Sequence, residues 1–399
     1  MTALRGSGNL FGMSSPPIVY VDYNASAPLC AEAAAAMEPW LSGSVSNPSS
    51  AHRSGQRARA AVEGARAQVA SLLGCEPMAV VFTSGGTEAD NTAIFGAMGW
   101  PPRGHLVISA IEHPAVLEPA VALHELGLEV TRVAVGTDGR VDPEAVREAL
   151  RPDTRLVSIM AANNEVGTLQ PIVEIAAAVH EAGALFHTDA VQAAPWVDLS
   201  PLVAASDLLS VSSHKLAGPL GMGALYVRPG IDLVPLMRGG GQQGGRRGGT
   251  EATASMLGFG AACARALRQR DQAAPRVAGL RDRLEASIVE GVDGVRCNGA
   301  RAARLPNTCH VCFARCDGNA LVARLDLEGI AASAGSACAS GVAHASPVLE
   351  AIGVPREYLP GALRLSLGYE SGEADVDRVL EVIPGAVRGL RDAGLEAVF

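Results

Sequence analysis

From about residue 79, short apolar runs alternate with longer stretches whose apolar residues recur every three or four positions. "AVVFTSG", "HLVISA", "LEVTRVAV", "RLVSIMAA", "ALFHTDA", "DLLSVSS" and "GALYVR" read as strands. "TEADNTAIFGAM", "PAVLEPAVALHELG", "PEAVREAL" and "VEIAAAVHEAG" read as the helices between them. Strands alternating with helices predict an α/β unit whose largely parallel sheet is covered on both faces. Ligands in such sheets bind outside the carboxyl ends of the strands, so residues just past each strand are the first candidates for chemistry.

The glycine-rich "MRGGGQQGGRRGGTEA", residues 237–252, interrupts this rhythm. It is too long for an ordinary turn, and it reads either as a linker or as a loop that wraps a ligand or a neighbouring subunit. Helical spacing resumes in "SMLGFGAACARALRQRDQAAPRVAGLRDRLEASIVEG", and "TCHVCFA" then begins the strands of a smaller α+β unit. The expected division is a large α/β unit over 18–260 and a small one over 261–399, with residues 1–17 lying near it.

Composition narrows the partners. The chain has 399 residues, 48% of them apolar, which is enough for two cored units. Its 41 acidic against 32 basic residues give a formal charge of −9, which argues against a general nucleic-acid or anionic-membrane surface and for a small-molecule partner. No apolar run is long enough to span a bilayer, and "MTALRGSGNLFGMSS" lacks the apolar centre of a signal peptide, so it reads as a lead-in. Eight cysteines are too sparse for a secreted disulfide scaffold, and the expected compartment is the cytoplasm.

Four strand ends carry candidate chemistry. Lys215 follows "LLSVSS"; a partly desolvated lysine has a lowered pKa and can form a Schiff base with a carbonyl, although most lysines at strand ends are simply exposed. "FTSGGTEADN" sets Ser84, Gly85, Gly86 and Thr87 between a strand and a helix, which suits a phosphate or a plain N-cap. Asp189 in "LFHTDAVQ" could cap the next helix or hold a proton on a cofactor ring nitrogen, with Gln192 three residues on. His113 in "SAIEHPAV" could be structural or could stack on a ring and relay protons.

With these in the order Thr87, His113, Asp189, Lys215, the chain resembles the fold-type I pyridoxal-phosphate enzymes, specifically the NifS/IscS-type cysteine desulfurases of the class V aminotransferase family. "VYVDYNASAP", "NPSSAHRSGQRARAAVEGAR", "NNEVGTLQP", "SVSSHKLAGPLGMGALYVR", "GGGQQGGRRGGTEA", "SAGSACAS" and "LRLSLG" carry the likeness further along the chain. The resemblance implies a mostly parallel seven-stranded sheet flanked by helices plus the small α+β domain, and pyridoxal 5'-phosphate as cofactor. Lys215 would carry the cofactor and shuttle protons, with the glycines behind it leaving the backbone room beside the ring. Asp189 would keep the ring nitrogen protonated, Gln192 would bond the phenolic oxygen and His113 would stack. Thr87, Ser212 and His214, with the N–H groups around Gly86, would hold the phosphate, and Thr250 would reach the phosphate of the partner subunit in a homodimer. Asn164 and Arg364 would position the substrate, Arg364 pairing its carboxylate.

The reaction turns on Cys338 in "AASAGSACASGVAHASP". Taken alone, a free cysteine is as readily a small buried hydrophobe. The resemblance makes it the nucleophile that takes sulfur from L-cysteine as a persulfide and leaves alanine, for delivery to a sulfur-acceptor protein in iron–sulfur cluster assembly or another thio-cofactor or tRNA pathway. A selenocysteine lyase or another class V aminotransferase or lyase is the alternative. The C-terminal "RGLRDAGLEAVF" ends near the last helix, without the longer tail that housekeeping IscS-type members use to dock a cluster scaffold, which leaves the acceptor open. Cys309, Cys312 and Cys316 have spacing that resembles a metal site, but a strand would turn their side chains to different faces, and no metal is expected.

Overall fold

A computed structural model describes residues 18–42, 46–335 and 346–394. In chain order the elements are β1 (Val19–Tyr20), α1 (Ala31–Leu41), α2 (Arg53–Leu73), β2 (Val80–Thr83), α3 (Gly86–Met98), β3 (His105–Ser109), α4 (Pro114–Glu125), β4 (Val130–Val133), α5 (Pro143–Ala149), β5 (Thr154–Ser158), α6 (Ile172–Glu181), β6 (Leu185–Asp189), α7 (Ser200–Ala205), β7 (Leu208–Ser212) and β8 (Gly223–Val227). They continue as α8 (Thr253–Gly291), β9 (Val295–Cys297), β10 (Thr308–Phe313), α9 (Gly318–Leu327), β11 (Ile330–Ala331), α10 (Pro347–Ala351), β12 (Ala362–Ser366) and α11 (Glu373–Asp392).

The large sheet has the order β2-β8-β7-β6-β5-β3-β4. β8 runs antiparallel to β2 and β7, and the remaining pairs are parallel. Both faces are covered, which is why its strands read as continuous apolar runs. Val81, Leu106, Ile108, Leu156, Leu208 and Leu225 pack into one core. Val80, Phe82, Val107, Val157, Leu209 and Val211, their neighbours in sequence, pack into the other, as the two-residue period of a strand requires. Alanine spacing seats α3 on the first of these: Ala89, Ala93 and Ala97 lie one turn apart and are buried.

Two features bear on the expected division. The division near 260 falls inside α8, which runs 39 residues without a break. Gly258 and Gly260 within it mark close packing. A Cβ at Gly260 would lie 2.8 Å from Ala65 Cα of α2, and one at Gly258 would lie 2.7 Å from Met37 Cγ of α1. The second is at the start of the chain. β1 pairs in parallel with β11, and Asp22 bridges Ser366 of β12, so this segment joins the strands of the second unit. A two-residue strand carries no readable period, so nothing in it announces a distant partner. β12, β10 and β9 form a separate antiparallel sheet.

The glycine-rich stretch is a loop folded back on its own chain. Gln243, buried and with φ of 50°, accepts from Arg66 at 2.8 Å and from the Phe82 backbone N–H at 2.9 Å. Arg247 grips Glu88 through two bonds of 2.8 and 3.1 Å. The loop is thereby tied to the first turn of α3.

Candidate active site

A cavity of about 610 Å³ opens at the carboxyl ends of β6 and β7 and the amino end of α3. Gly86, Thr87, His113, Asn164, Asp189, Gln192, Ser212, His214, Lys215 and Arg364 all line it. Thr250 does not: it is exposed at the far end of the glycine-rich loop, so within one chain it is outside the site. Cys338 lies outside the described residues.

Each position follows from local structure. Gly86 opens α3, where free backbone N–H groups point out of the helix; a Cβ there would sit 2.9 Å from Val191 Cγ2, so the turn is built for glycine. His113 caps α4, its Nδ1 accepting from the Ala115 N–H at 3.1 Å. Asp189 ends β6 and accepts from the Val191 N–H at 2.9 Å. Lys215 lies in a tight helical turn, Ser213–Leu216, directly after β7. The glycine behind it serves packing: a Cβ at Gly218 would lie 2.2 Å from Ser213 Oγ and 3.1 Å from Ala262 Cβ of α8.

Electrostatics divide the cavity. Burial, reinforced by the charges of Lys215 and His113, draws the His214 imidazole down to about 4. Burial also holds His113 below its usual range, with Asp189 opposing and Lys215 adding to the fall. Both imidazoles are therefore held neutral, and with the hydroxyls of Thr87 and Ser212 they give one end of the cavity neutral hydrogen-bonding groups. Asp189 is pushed up by burial and pulled back by His113, the Val191 N–H and Lys215, so it is the buried carboxyl facing those bases.

Several site residues carry no signal in the sequence. The Lys215 amine donates to the Ala25 carbonyl at 2.8 Å and to the Asn24 carbonyl. The same Asn24 carbonyl accepts from Gln192 at 3.0 Å, and the Asn24 amide donates to the Asn164 carbonyl at 3.2 Å and to Thr308 Oγ1 at 2.9 Å. "VYVDYNASAP" stood out as a landmark, but without a role for Asn24. Arg364 donates to the Asn164 carbonyl at 3.1 Å and to Asp22 Oδ1 at 2.9 Å.

Glu112 is a further cavity residue of this kind. Its Oε1 accepts from Ser109 and from the Met160 N–H at 3.0 Å, while Oε2 has no hydrogen-bond partner among the described residues. Burial pushes its carboxyl up to about 8 from an ordinary value of 4.5. As pH rises from about 4.5 to about 8 the unfolded chain gives up this proton and the folded chain keeps it, so the group costs stability across that window. Glu112→Gln removes the cost. Its melting temperature is expected to exceed that of the parent protein at pH 8 by an amount reflecting a few kcal/mol, with the gap narrowing toward pH 4.5. Thermal melts at the two pH values check this, and an equal gap at both contradicts it.

The clustered cysteines are buried core residues. Cys309 and Cys312 sit on β10, and burial pushes the Cys312 thiol to about 12, the Cys316 thiol to about 11 and the Cys309 thiol well above its usual value. Among the described residues, no group of three or more His, Cys, Asp or Glu side chains is arranged to hold a metal ion. None of the described helices is long and apolar enough to cross a membrane.

Comparison with known proteins agrees with this geometry. The aminotransferase class-V pattern matches residues 19–379. A cysteine desulfurase of Gluconacetobacter diazotrophicus is 45% identical over 377 residues, covering 94% of each chain. The cysteine desulfurase IscS of Dictyoglomus turgidum is 42% identical over 94% of this chain and 95% of its own. Among solved structures, a NifS-like protein superposes with a TM-score of 0.87 at 34% identity, covering 94% of this chain and all of that one. SspA, solved in complex with cysteine, superposes with a TM-score of 0.77 at 35% identity over 87% of this chain and 98% of its own. A match running from β1 into α11, with the expected lysine, aspartate and histidines meeting in one cavity, means that the chain belongs to the aminotransferase class-V family, whose members are in general pyridoxal-phosphate enzymes.

Proposed function

We propose that this protein is a cysteine desulfurase that binds pyridoxal 5'-phosphate and removes sulfur from L-cysteine, giving L-alanine and a persulfide on Cys338. The observation that carries the reading is the convergence of Thr87, His113, Asp189, Gln192, Ser212, His214, Lys215 and Arg364 on one cavity. The residues fit the cofactor. A Cβ-intolerant turn at Gly86 meets short hydroxyl side chains and an imidazole at the phosphate end, a buried carboxyl stands where a protonated ring nitrogen needs a counter-charge, and a lysine amine is within the same walls.

When bound, the cofactor supplies a carbonyl for amine condensation and an electron sink for the substrate's α-carbon. The protein's own groups do the rest. Asp189 would hold the proton on the ring nitrogen, Gln192 would bond the phenolic oxygen, and His113 would cover the ring face. Lys215 Nζ would remove and return protons at the substrate carbon, steadied by the Asn24 and Ala25 carbonyls. Arg364 anchors the substrate carboxylate, with Asn164 beside it. Cys338 Sγ, as thiolate, attacks the substrate sulfur. The S–S bond forms, the C–S bond breaks, and its electron pair stays with carbon, which is protonated to the methyl of alanine. Cysteine and one enzyme thiol give alanine and one enzyme persulfide, so no outside oxidant enters.

Thr250 belongs to the other half of the assembly in this reading: in a homodimer it reaches the partner's phosphate from a loop tethered by Gln243 and Arg247. The persulfide passes to a sulfur-acceptor protein, and the division into a large cofactor domain and a small domain bearing Cys338 goes with the reading. The test is an absorption spectrum before and after L-cysteine, with alanine and sulfide assayed under reductant. A band near ~400 nm with equal alanine and sulfide is the expected result. The band without alanine would move the function to another reaction of the cofactor, and no band would remove the cofactor itself.

A further inference from the structure

Arg364 is engaged before any substrate arrives. It lies in mid-strand on β12, opposite His310 of β10, and only 2% of it is exposed. A guanidinium buried to this degree is costly unless its charge is met. Asp22 meets it, through Oδ1 at 2.9 Å from Nη2, while the Asn164 carbonyl takes Nη1 at 3.1 Å. The other titratable neighbours are weaker candidates for that task. Burial, with the Arg364 charge adding to it, draws His310 down to about 3, so it is neutral; Glu165 is pushed up to about 7 by burial and is bonded by the Ser346 hydroxyl at 2.5 Å. Asp22 is itself held stiffly. It forms a backbone bridge to Ser366, and the next residue, Tyr23, donates its N–H to the Ser366 carbonyl at 3.2 Å.

We infer that Asp22 is a positioning residue for substrate binding: it locks the Arg364 guanidinium in the plane from which the remaining N–H groups meet the carboxylate of the amino-acid substrate. This rests on the reading of Arg364 as the carboxylate anchor. Two of its five N–H donors are spent on Asp22 and Asn164, and Nε has no hydrogen-bond partner among the described residues. Holding the fork in place beforehand removes the cost of ordering a long side chain at the moment of binding. The contribution is to binding the substrate carboxylate, which does not change during the reaction, so it acts on KM and leaves kcat nearly alone.

The experiment uses holoenzyme of the parent protein, Asp22→Ala, Asp22→Asn and Arg364→Ala. KM and kcat are measured with L-cysteine, and the dissociation constant of L-alanine, the product amino acid, which carries the same carboxylate without the sulfur, by calorimetry. Asp22→Ala is expected to raise both KM and the alanine dissociation constant about ten-fold with kcat within about three-fold; Asp22→Asn, which keeps an acceptor oxygen, should show a smaller rise. If the alanine variant does not fold, Asp22→Ser, too short to reach Nη2, takes its place with the same expectation. A merely structural role would lower the melting temperature or cofactor content without separating KM from kcat. Unchanged or lowered KM in the Asp22 variants, with both constants raised in Arg364→Ala, overturns the inference and leaves the anchor standing. Constants unchanged in Arg364→Ala as well would remove the anchor itself.

Discussion

Cys338→Ala is expected to retain the cofactor and its absorption band but to release no alanine above background from L-cysteine, a loss on the order of a thousand-fold or more. The sulfur-taking step needs a thiolate, because the thiol is a poor nucleophile. Of the eight cysteines, seven lie within the described residues, and burial raises every one of their thiols. Cys75 and Cys316 are pushed to about 11, and Cys297 and Cys312 to about 12. Cys30 is raised, and Cys263 and Cys309 lie well above their usual value. None of the seven lines the cavity. Cys338 is the cysteine that remains, and ordinary turnover by the alanine variant, measured as alanine formed under reductant, would end the assignment.

Physical reasons separate what the sequence announces from what it conceals. A sheet buried on both sides must be built from continuous apolar runs, so β2 to β8 are legible one by one, and in such a sheet the strand ends carry the chemistry. Thr87, His113, Asp189 and Lys215 are found that way. Asn24 is not, because its contact with Lys215 is made by a backbone carbonyl from 191 positions away, and a carbonyl looks the same in every residue. Asp22 is hidden for the same reason: its partner Arg364 is 342 positions away. Glu112 stands beside His113 in the sequence, yet only the fold reveals that its carboxyl is sealed against Ser109 and Met160. Gly258 and Gly260 lie in a stretch whose spacing reads as helical, but only the fold shows that glycine there lets one long helix press against two others.

Lys215→Ala should be as severe a change as Cys338→Ala, but with the opposite spectroscopic signature. The covalent tie to the cofactor is lost, so the lysine-linked band disappears and the cofactor dialyses away more readily. Turnover with L-cysteine should fall by about 10² to 10⁴-fold even when cofactor is resupplied, the range expected when a positioned acid–base group is removed. The hydrogen bonds around the amine explain why a substitute cannot be improvised. Nζ is held by the Asn24 and Ala25 carbonyls, and that segment is fixed in turn by Gln192 and by the Asn24 amide on Thr308. Removing the amine leaves the Asn24 and Ala25 carbonyls at the cavity wall without the group that bridged them. His113 is not expected to replace it, since its Nδ1 is committed to the Ala115 N–H. Lys215→Arg separates the two roles of the residue: a guanidinium can use the same carbonyls but cannot form the covalent tie or give up a proton near neutral pH. It is expected to preserve the melting temperature while matching the alanine variant in lost band and lost turnover, and substantial turnover in either variant would mean that another group moves the proton.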